Sequence, residues 1–300
     1  MKPSPYQISA FTHAARQGSF SRAALALGVT QSSITQHVAK LERSMGTHLF
    51  VRRRDGLELT RAGRELFSIS DRLATLEQLI EERVESYSAL TNGFLRVVAT
   101  APRPAMPIIA RFAARFPKVQ IEFSLFSWTL STAMVRDREV DIAIYTEPDR
   151  VAGLYIEDVD RTRYLAHVRH DHAFAGRKSI SLKELAEETV ILPEDGSFTQ
   201  RVVKSKSEMQ GLSFSRVVKT TTFPVLKEAV LHGIGVGLFL EDSLAPSASL
   251  VGLPIEEMPE TYRNSLVTQI DKRDLRLVRN FIDVAFDETG IVAPAVGKDS

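Results

Sequence analysis

Through the first 46 positions apolar residues recur at helical spacing, and glycine interrupts the pattern three times. Ile8, Phe11, Ala14 and Ala15 mark one face of a first helix that Gly18 ends. Ser21 is suited to cap a second, which carries Ala23, Ala24, Leu25 and Leu27 up to Gly28. Thr30 caps a third, with Ile34, Val38, Leu41 and Met45 on one face and Gly46 at its end. Two short helices joined by Leu27-Gly28-Val29-Thr30 make a helix-turn-helix. The pattern then changes to two short strand-like runs, Leu49–Arg52 and Leu57–Thr60, around Arg53-Arg54-Asp55-Gly56. An Asp-Gly turn between such runs predicts a hairpin, and a hairpin placed directly after a helix-turn-helix is a wing.

From Ala62 the apolar positions are Ala62, Leu66, Ile69, Leu73, Leu76, Ile80, Val84 and Tyr87, spaced by alternating fours and threes. That is a heptad seam. Its two apolar residues per heptad are narrow for a helix packed on its own domain, so the pattern favours a long helix paired with a second chain. After Thr91-Asn92-Gly93 strands and helices alternate. Strands are expected at Phe94–Thr100, Val119–Phe126, Asp141–Tyr145, Tyr164–Val168, Val190–Leu192, Val217–Thr220, Gly235–Leu240 and Ser265–Ile270. Helices are expected at Pro107–Phe116, Leu130–Asp137, Leu182–Glu187, from Thr199, at Pro224–His232 and at Leu275–Phe286. Alternation of this kind predicts parallel α/β sheets, and some 200 residues of it suffice for two lobes with a cleft between them.

Composition excludes other classes. With 44 % hydrophobic and 25 % charged residues the chain is neither disordered nor low in complexity, and 300 residues suggest about two domains. The absence of cysteine removes disulfides, thiolate metal sites and a Cys nucleophile. Neither a secretory leader nor a membrane-length apolar run is visible, so a cytoplasmic protein without a membrane role is expected. The net charge of +1 conceals an asymmetry: the first 62 residues carry nine basic and three acidic side chains, leaving the remainder at −5. A basic head on a mildly acidic body is the layout of a nucleic-acid-binding module joined to something else.

On the third helix, Ser32, Gln36 and Arg43 point away from the Ile34/Val38/Leu41 face, flanked by Ser33 and Lys40 on one side and Thr35 on the other. Such a polar, acid-poor face fits the major groove, where Gln reads adenine and Ser or Thr reaches base edges or phosphates; the competing reading is a solvated helix face. Arg52, Arg53 and Arg54 at the hairpin tip repel one another unless they meet anions, and minor-groove or phosphate contact would supply them.

These residues carry a resemblance. Ala23-Ala24, Val29-Thr30-Gln31, Leu41-Glu42, Gly46, Leu49-Phe50-Val51-Arg52 and Leu59-Thr60-Arg61-Ala62-Gly63 match the winged helix-turn-helix of the LysR-type transcriptional regulators. The match extends over nearly the whole chain. It implies an all-α head with a wing at 1–60, a linker and dimerisation helix at 61–90, and a two-lobed α/β effector domain at 91–300 resembling periplasmic binding proteins. The first lobe would hold about 93–163 and 269–290, and the second about 164–268. DNA contacts are implied at Gln31, Ser32, Ser33, Thr35, Gln36 and Lys40, with Arg52, Arg53 and the neighbouring Arg54 in the wing. The family often has Pro or Ala at the Ser32-Ser33 pair and Ser-Arg at Thr35-Gln36, so an operator read by Gln36 should differ from one read by Arg.

The resemblance also implies a small, anionic inducer between the lobes. The matching positions are Thr100-Ala101-Pro102-Arg103, Ser127-Trp128-Thr129, the loop Glu194-Asp195-Gly196-Ser197-Phe198-Thr199, and Thr221-Thr222-Phe223. Thr100, Arg103, Ser127, Trp128, Thr129, Ser197, Thr199 and Thr221 are the candidate effector residues. A helix opening at Gly196-Ser197 presents amide N–H groups to an anion, and Arg103 and Arg201 add charge. Plain N-capping by Ser197 or Thr199, and plain solvation of the arginines, are the competing readings. Within the family, Ala-Thr-Ala-Pro-Arg-Pro-Ala-Met-Pro and Glu-Asp-Gly-Ser-Phe-Thr-Gln-Arg look like the subgroup associated with aminoethylphosphonate catabolism. Implied partners are double-stranded DNA, the inducer, RNA polymerase and further copies of the chain as homodimer or homotetramer. No cofactor, metal or catalytic residue is expected. His167, His170 and His172 lack a recognised metal spacing and read as a surface loop, and Gly233-x-Gly235-x-Gly237 runs from helix to strand, the reverse of a dinucleotide fingerprint. The alternatives are a two-lobed small-molecule receptor, or an α/β enzyme with an appended nucleic-acid-binding head.

Overall fold

Ser4 accepts a hydrogen bond from the Gln7 backbone N–H (3.3 Å) while the Gln7 side chain accepts from Ser4 N (2.8 Å). This reciprocal cap opens α1 (Pro5–Gln17) in the computed structural model, which describes residues 3–53, 56–84, 93–241 and 249–287. Contacts divide the chain into two units, Met1–Ser88 with Arg136–Glu139, and Ala89–Val135 with Val140–Ser300. In the first, α2 (Phe20–Leu27) follows, capped by Ser19 rather than Ser21. Ser21 instead donates to the Gln31 side chain (2.9 Å). The sharp turn into α3 (Gln31–Met45) requires Gly28 in the left-handed region, φ 65°, where a side chain is strained. Phe11, Ala14, Ala23, Ala24, Ile34, Val38 and Leu41 form the core of the three helices, whereas Leu25 is 85 % exposed and Met45 is also exposed.

The antiparallel strands β1 (Phe50–Arg53) and β2 (Gly56–Leu59) pair Phe50 with Leu59 and Arg52 with Leu57. Phe50 inserts between Phe11 and Phe20, with ring centroids 5.4 and 5.6 Å away, which anchors the hairpin to the helices. Thr60 then caps α4 (Arg61–Val84) by accepting from Gly63 N (3.0 Å). Gly63 is required by proximity, since a Cβ there would stand 2.2 Å from the Leu49 carbonyl oxygen. Arg16 of α1 donates to the fully buried Asp71 of α4 (2.5 Å). Farther along α4, Ile69, Leu73, Leu76, Ile80 and Val84 are 49 to 79 % exposed, so the heptad stripe has no partner within the described residues of the chain. Arg54 and Tyr87 lie outside the described residues.

In the second unit the strand order is β4-β3-β5-β11-β6-β9-β7-β8, with β10 also on β6. β3 (Gly93–Ala99) pairs in parallel with β4 (Val119–Leu125) and β5 (Ile142–Thr146). β7 (Thr189–Pro193) pairs in parallel with β8 (Arg216–Thr220) and β9 (Val236–Leu240). The sheet is nevertheless mixed rather than parallel throughout. β6 (Leu154–Arg169) and β11 (Thr261–Gln269) run antiparallel to their neighbours, as does β10 (Leu250–Pro254), a strand not anticipated from the sequence. β6 is 16 residues long where only Tyr164–Val168 was expected; its first ten residues pair with β11 and its last six with β9 and β10. β11 pairs with β5 through Asn264–Val267.

The helices are α5 (Pro102–Arg115), α6 (Trp128–Arg136), α7 (Leu182–Ala186), α8 (Phe198–Met209), α9 (Phe223–Leu231) and α10 (Arg276–Phe286). α5 begins five residues before the expected Pro107. Pro102 and Pro104 fall in the first turn, where backbone N–H groups have no helical partner, so the prolines there sacrifice no hydrogen bond. Phe112 of α5 packs on Phe281 of α10 at 5.2 Å, and burying each ring stabilises by about 1.5–3 kcal/mol. His167 is not in a surface loop. It lies inside β6, 3 % exposed and stacked 3.5 Å from Phe239. Burial pushes its pKa down to about 3, so it is neutral.

Candidate functional sites

The α3 face opposite its core is open: Gln31, Ser32, Gln36, Lys40 and Arg43 are exposed, and Ser33 and Thr35 half-buried. Two hydroxyls are partly engaged, Ser32 with Thr30 Oγ1 (2.9 Å) and Thr35 donating to the Gln31 carbonyl (3.0 Å). The one acid of α3, Glu42, is turned back to accept from Leu49 N (2.8 Å), which removes negative charge from the polar face and ties α3 to the hairpin. On β1, the Arg52 guanidinium lies 5.7 Å from the Phe20 ring centroid and Arg53 pairs with Glu58 at 3.0 Å. Both arginines are exposed.

In the second unit, a cavity of about 80 Å3 opens at the carboxyl ends of β3, β4, β5, β7, β8 and β9, the usual place for a ligand in an open α/β sheet. The residues preceding four helices all line it: Ala101 before α5 and Ser127 before α6 from one lobe, Ser197 before α8 and Thr222 before α9 from the other. Each helix directs its partly positive amino end at the same space, an arrangement suited to a negative group. Of the candidate effector residues, Thr100, Ser127, Trp128, Ser197, Thr199 and Thr221 line the cavity. Arg103 is exposed and not in the lining, and Thr129 touches the lining through Glu194.

Local bonds hold these side chains. Ser197 accepts from Gln200 N (3.2 Å), the ordinary capping role, and Ser127 accepts from Leu130 N (3.3 Å). Thr199 bonds the buried Tyr164 hydroxyl (2.9 Å). Trp128 Nε1 donates to the Thr146 carbonyl (2.8 Å), and its ring stands edge-on to Tyr145, whose hydroxyl burial raises to about 12. Thr146 donates to Asn264 (2.7 Å), which donates to Asp160 (2.8 Å), where β5, β11 and β6 meet. Beside them the Arg263 guanidinium grips Glu147 (2.8 Å) and lowers its pKa. Arg201 covers Trp128 at 4.6 Å.

The segments singled out from the sequence already held Glu194, Phe198 and Phe223, but Phe126, Leu226 and Phe239, also in the cavity wall, were missed. Each reads locally as core or as loop. Only the spacing of strand ends and helix starts signalled that Phe126 stands at such a junction. No group of His, Asp or Glu among the described residues is arranged to hold a metal ion, and no described helix is long and apolar enough to cross a membrane.

Residues 6–64 match the lysR family of bacterial regulatory helix-turn-helix proteins, and residues 88–289 match the LysR substrate binding domain. The RuBisCO operon transcriptional regulator of Allochromatium vinosum is 29 % identical over 272 residues, covering 89 % of this chain and 90 % of its own. A full-length OxyR variant from Pseudomonas aeruginosa shares the fold with a TM-score of 0.77 at 18 % identity, covering 95 % of both chains. Full-length CbnR, solved in complex with its target DNA, has a TM-score of 0.56 at 17 % identity, covering 93 % of this chain and 97 % of that one. The chain belongs to the LysR family of transcriptional regulators, with an amino-terminal helix-turn-helix for DNA and a two-lobed α/β domain for an effector.

Proposed function

We propose that the polar face of α3 reads operator DNA through Gln31, Ser32, Ser33, Thr35, Gln36 and Lys40, while Arg52, Arg53 and Arg54 contact the backbone or minor groove. In this reading residues 1–60 are the DNA-binding head, 61–90 the dimerisation linker and 91–300 the effector domain. The protein acts in the cytoplasm. Two α4 helices pair along Ile69, Leu73, Leu76, Ile80 and Val84, whose exposure in one chain supports the pairing. Effector domains associate further into a tetramer on two half-sites. An anionic inducer in the cavity then shifts the quaternary arrangement, and with it DNA bending and contact with RNA polymerase. The observation that carries the anionic reading is the convergence of four helix amino ends on one cavity. A phosphonate is the particular anion favoured by the sequence of the Thr100–Pro107 and Glu194–Arg201 segments.

The test is binding to DNA upstream of the protein's own gene, with random DNA as competitor, across a salt series. Two protected half-sites are expected. Gln36→Ala should weaken specific binding by about 1–3 kcal/mol and random binding much less. Equal losses on both DNAs would mean that Gln36 reads no base.

A further inference from the structure

We infer that Glu194 is a built-in stand-in for the acidic group of the effector, which assigns the cavity to an oxyanion joined to a flat apolar body. This rests on reading the cavity as the effector site. Glu194 follows β7 in one lobe and reaches the first turn of α6 in the other. Its Oε1 accepts from both the hydroxyl (3.0 Å) and the backbone N–H (3.4 Å) of Thr129. Two donors at a helix amino end that converge on one carboxylate oxygen are what a bound acid would use, and here a side chain from the opposite lobe uses them.

The surroundings separate this role from its opposite, in which Glu194 awaits a cationic group. Among the described residues, Glu194 is the one charged side chain in the cavity lining. Its neighbour Asp195 is engaged by Lys219, and Arg201 lies over Trp128 at the same edge. With four helix amino ends also facing in, every other electrostatic feature favours an anion, and Glu194 is the anion already supplied. The remaining wall is formed by Phe126, Trp128, Phe198, Phe223 and Phe239, which suits a planar apolar body. An effector acid that takes Thr129 releases Glu194, and so exchanges a lobe-to-lobe hydrogen bond for one through the ligand. The competition makes native affinity lower than the cavity alone would give, and ties occupancy to release of the inter-lobe bond.

Trp128 is the chain's one tryptophan and lies in this wall, so its fluorescence in the full-length protein reports on the cavity alone. Benzoate, phenylphosphonate, benzamide and benzylamine serve as probes on the native protein, Glu194→Ala and Glu194→Gln. Loss of a charge-assisted competitor should tighten benzoate by about ten- to hundredfold in Glu194→Ala and less in Glu194→Gln, with neutral benzamide unchanged. Phenylphosphonate gaining as much as benzoate would mark the subsite as one for oxyanions generally; gaining less would mark it for carboxylates. Adding Thr129→Val to Glu194→Ala should return benzoate toward its native affinity, which distinguishes the effect from a loosened fold. Benzoate binding equally to native protein and variants, or benzylamine binding the native protein and being lost in Glu194→Ala, would overturn the inference while leaving the cavity a ligand site. Silence of Trp128 toward all four probes in every variant would refute the effector site itself.

Discussion

Gly63→Ala tests how the wing is mounted. Inside a helix this change ordinarily stabilises by about 1 kcal/mol, because alanine has less backbone freedom to lose. At Gly63 the new methyl would stand 2.2 Å from the Leu49 carbonyl oxygen, 3.1 Å from its carbon and 3.0 Å from the Leu59 side chain. Real Cβ contacts do not fall below 3.0 Å, so a backbone segment has to retreat by at least 0.8 Å. The segment cannot yield freely. Leu49 is fully buried, its carbonyl accepts from Thr60 N (3.0 Å), and Thr60 caps α4 through Gly63 itself. Overpacking of this kind costs about 1–3 kcal/mol, and the weakened hydrogen bond adds about 1 kcal/mol. After the helix gain is subtracted, a net loss of about 1–3 kcal/mol remains for the head. Hydrogen exchange on the full-length protein should show protection in peptides from residues 3–53 falling about fivefold to a hundredfold, with second-unit peptides unchanged. On the proposed wing contacts, the DNA affinity of the variant should fall as β1 shifts with Arg52 and Arg53. Unchanged or slower exchange in the head would refute the reasoning, since it would mean that the propensity term outweighs the clash.

The buried His167 makes the second lobe sensitive to acid. Its folded-state pKa is near 3 while the unfolded chain binds the proton near 6.5, so stability is complete above about pH 6.5 and falls by about 1.4 kcal/mol per pH unit below it. Between pH 6.5 and 5, His167→Phe should remove this slope from the second unit's unfolding; an identical slope in native and variant would contradict the assignment. On the proposed α4 pairing, Leu73→Glu and Ile80→Glu together should reduce the mass measured by sedimentation while leaving helix content intact. A mass unchanged by both would exclude the seam as the interface.

Most of the head was legible because one physical rule dominates it. α3 buries Ile34, Val38 and Leu41 at a helical period, and its caps are local, so sequence spacing and structure coincide. β6 was half-missed for the opposite reason. Glu157, Asp158, Asp160, Arg161 and Arg163 look like loop, yet Asp158 accepts from Ser265 (3.0 Å) and Asp160 from Asn264. Those partners lie about 100 residues away and leave no trace in local periodicity. The prolines of α5 misled similarly: Pro102 and Pro104 occupy the helix start, and Pro107, taken for the first residue, lies inside the helix. In the cavity, the polar residues at helix starts, with Trp128, Phe198 and Phe223 beside them, were carried by the family resemblance. Phe126, Phe239 and the Glu194–Thr129 bond were not, since their place in the wall exists only once elements from both lobes converge.

The chain passes between the lobes twice among the described residues, along β6 and along β11, and these two strands are hydrogen-bonded to each other. The connection is therefore a two-stranded ribbon. Stretching or sliding it breaks ladder bonds, whereas twisting it does not. The ladder is irregular where Asn264 faces Asp160 and Ser265 faces Asp158, because Val159 between them has no opposite residue. The Thr146–Asn264–Asp160 bonds brace the same spot and reach the cavity through Thr146. The ladder therefore resists stretching and sliding between the lobes, and its irregular point is bonded to Thr146 in the cavity wall.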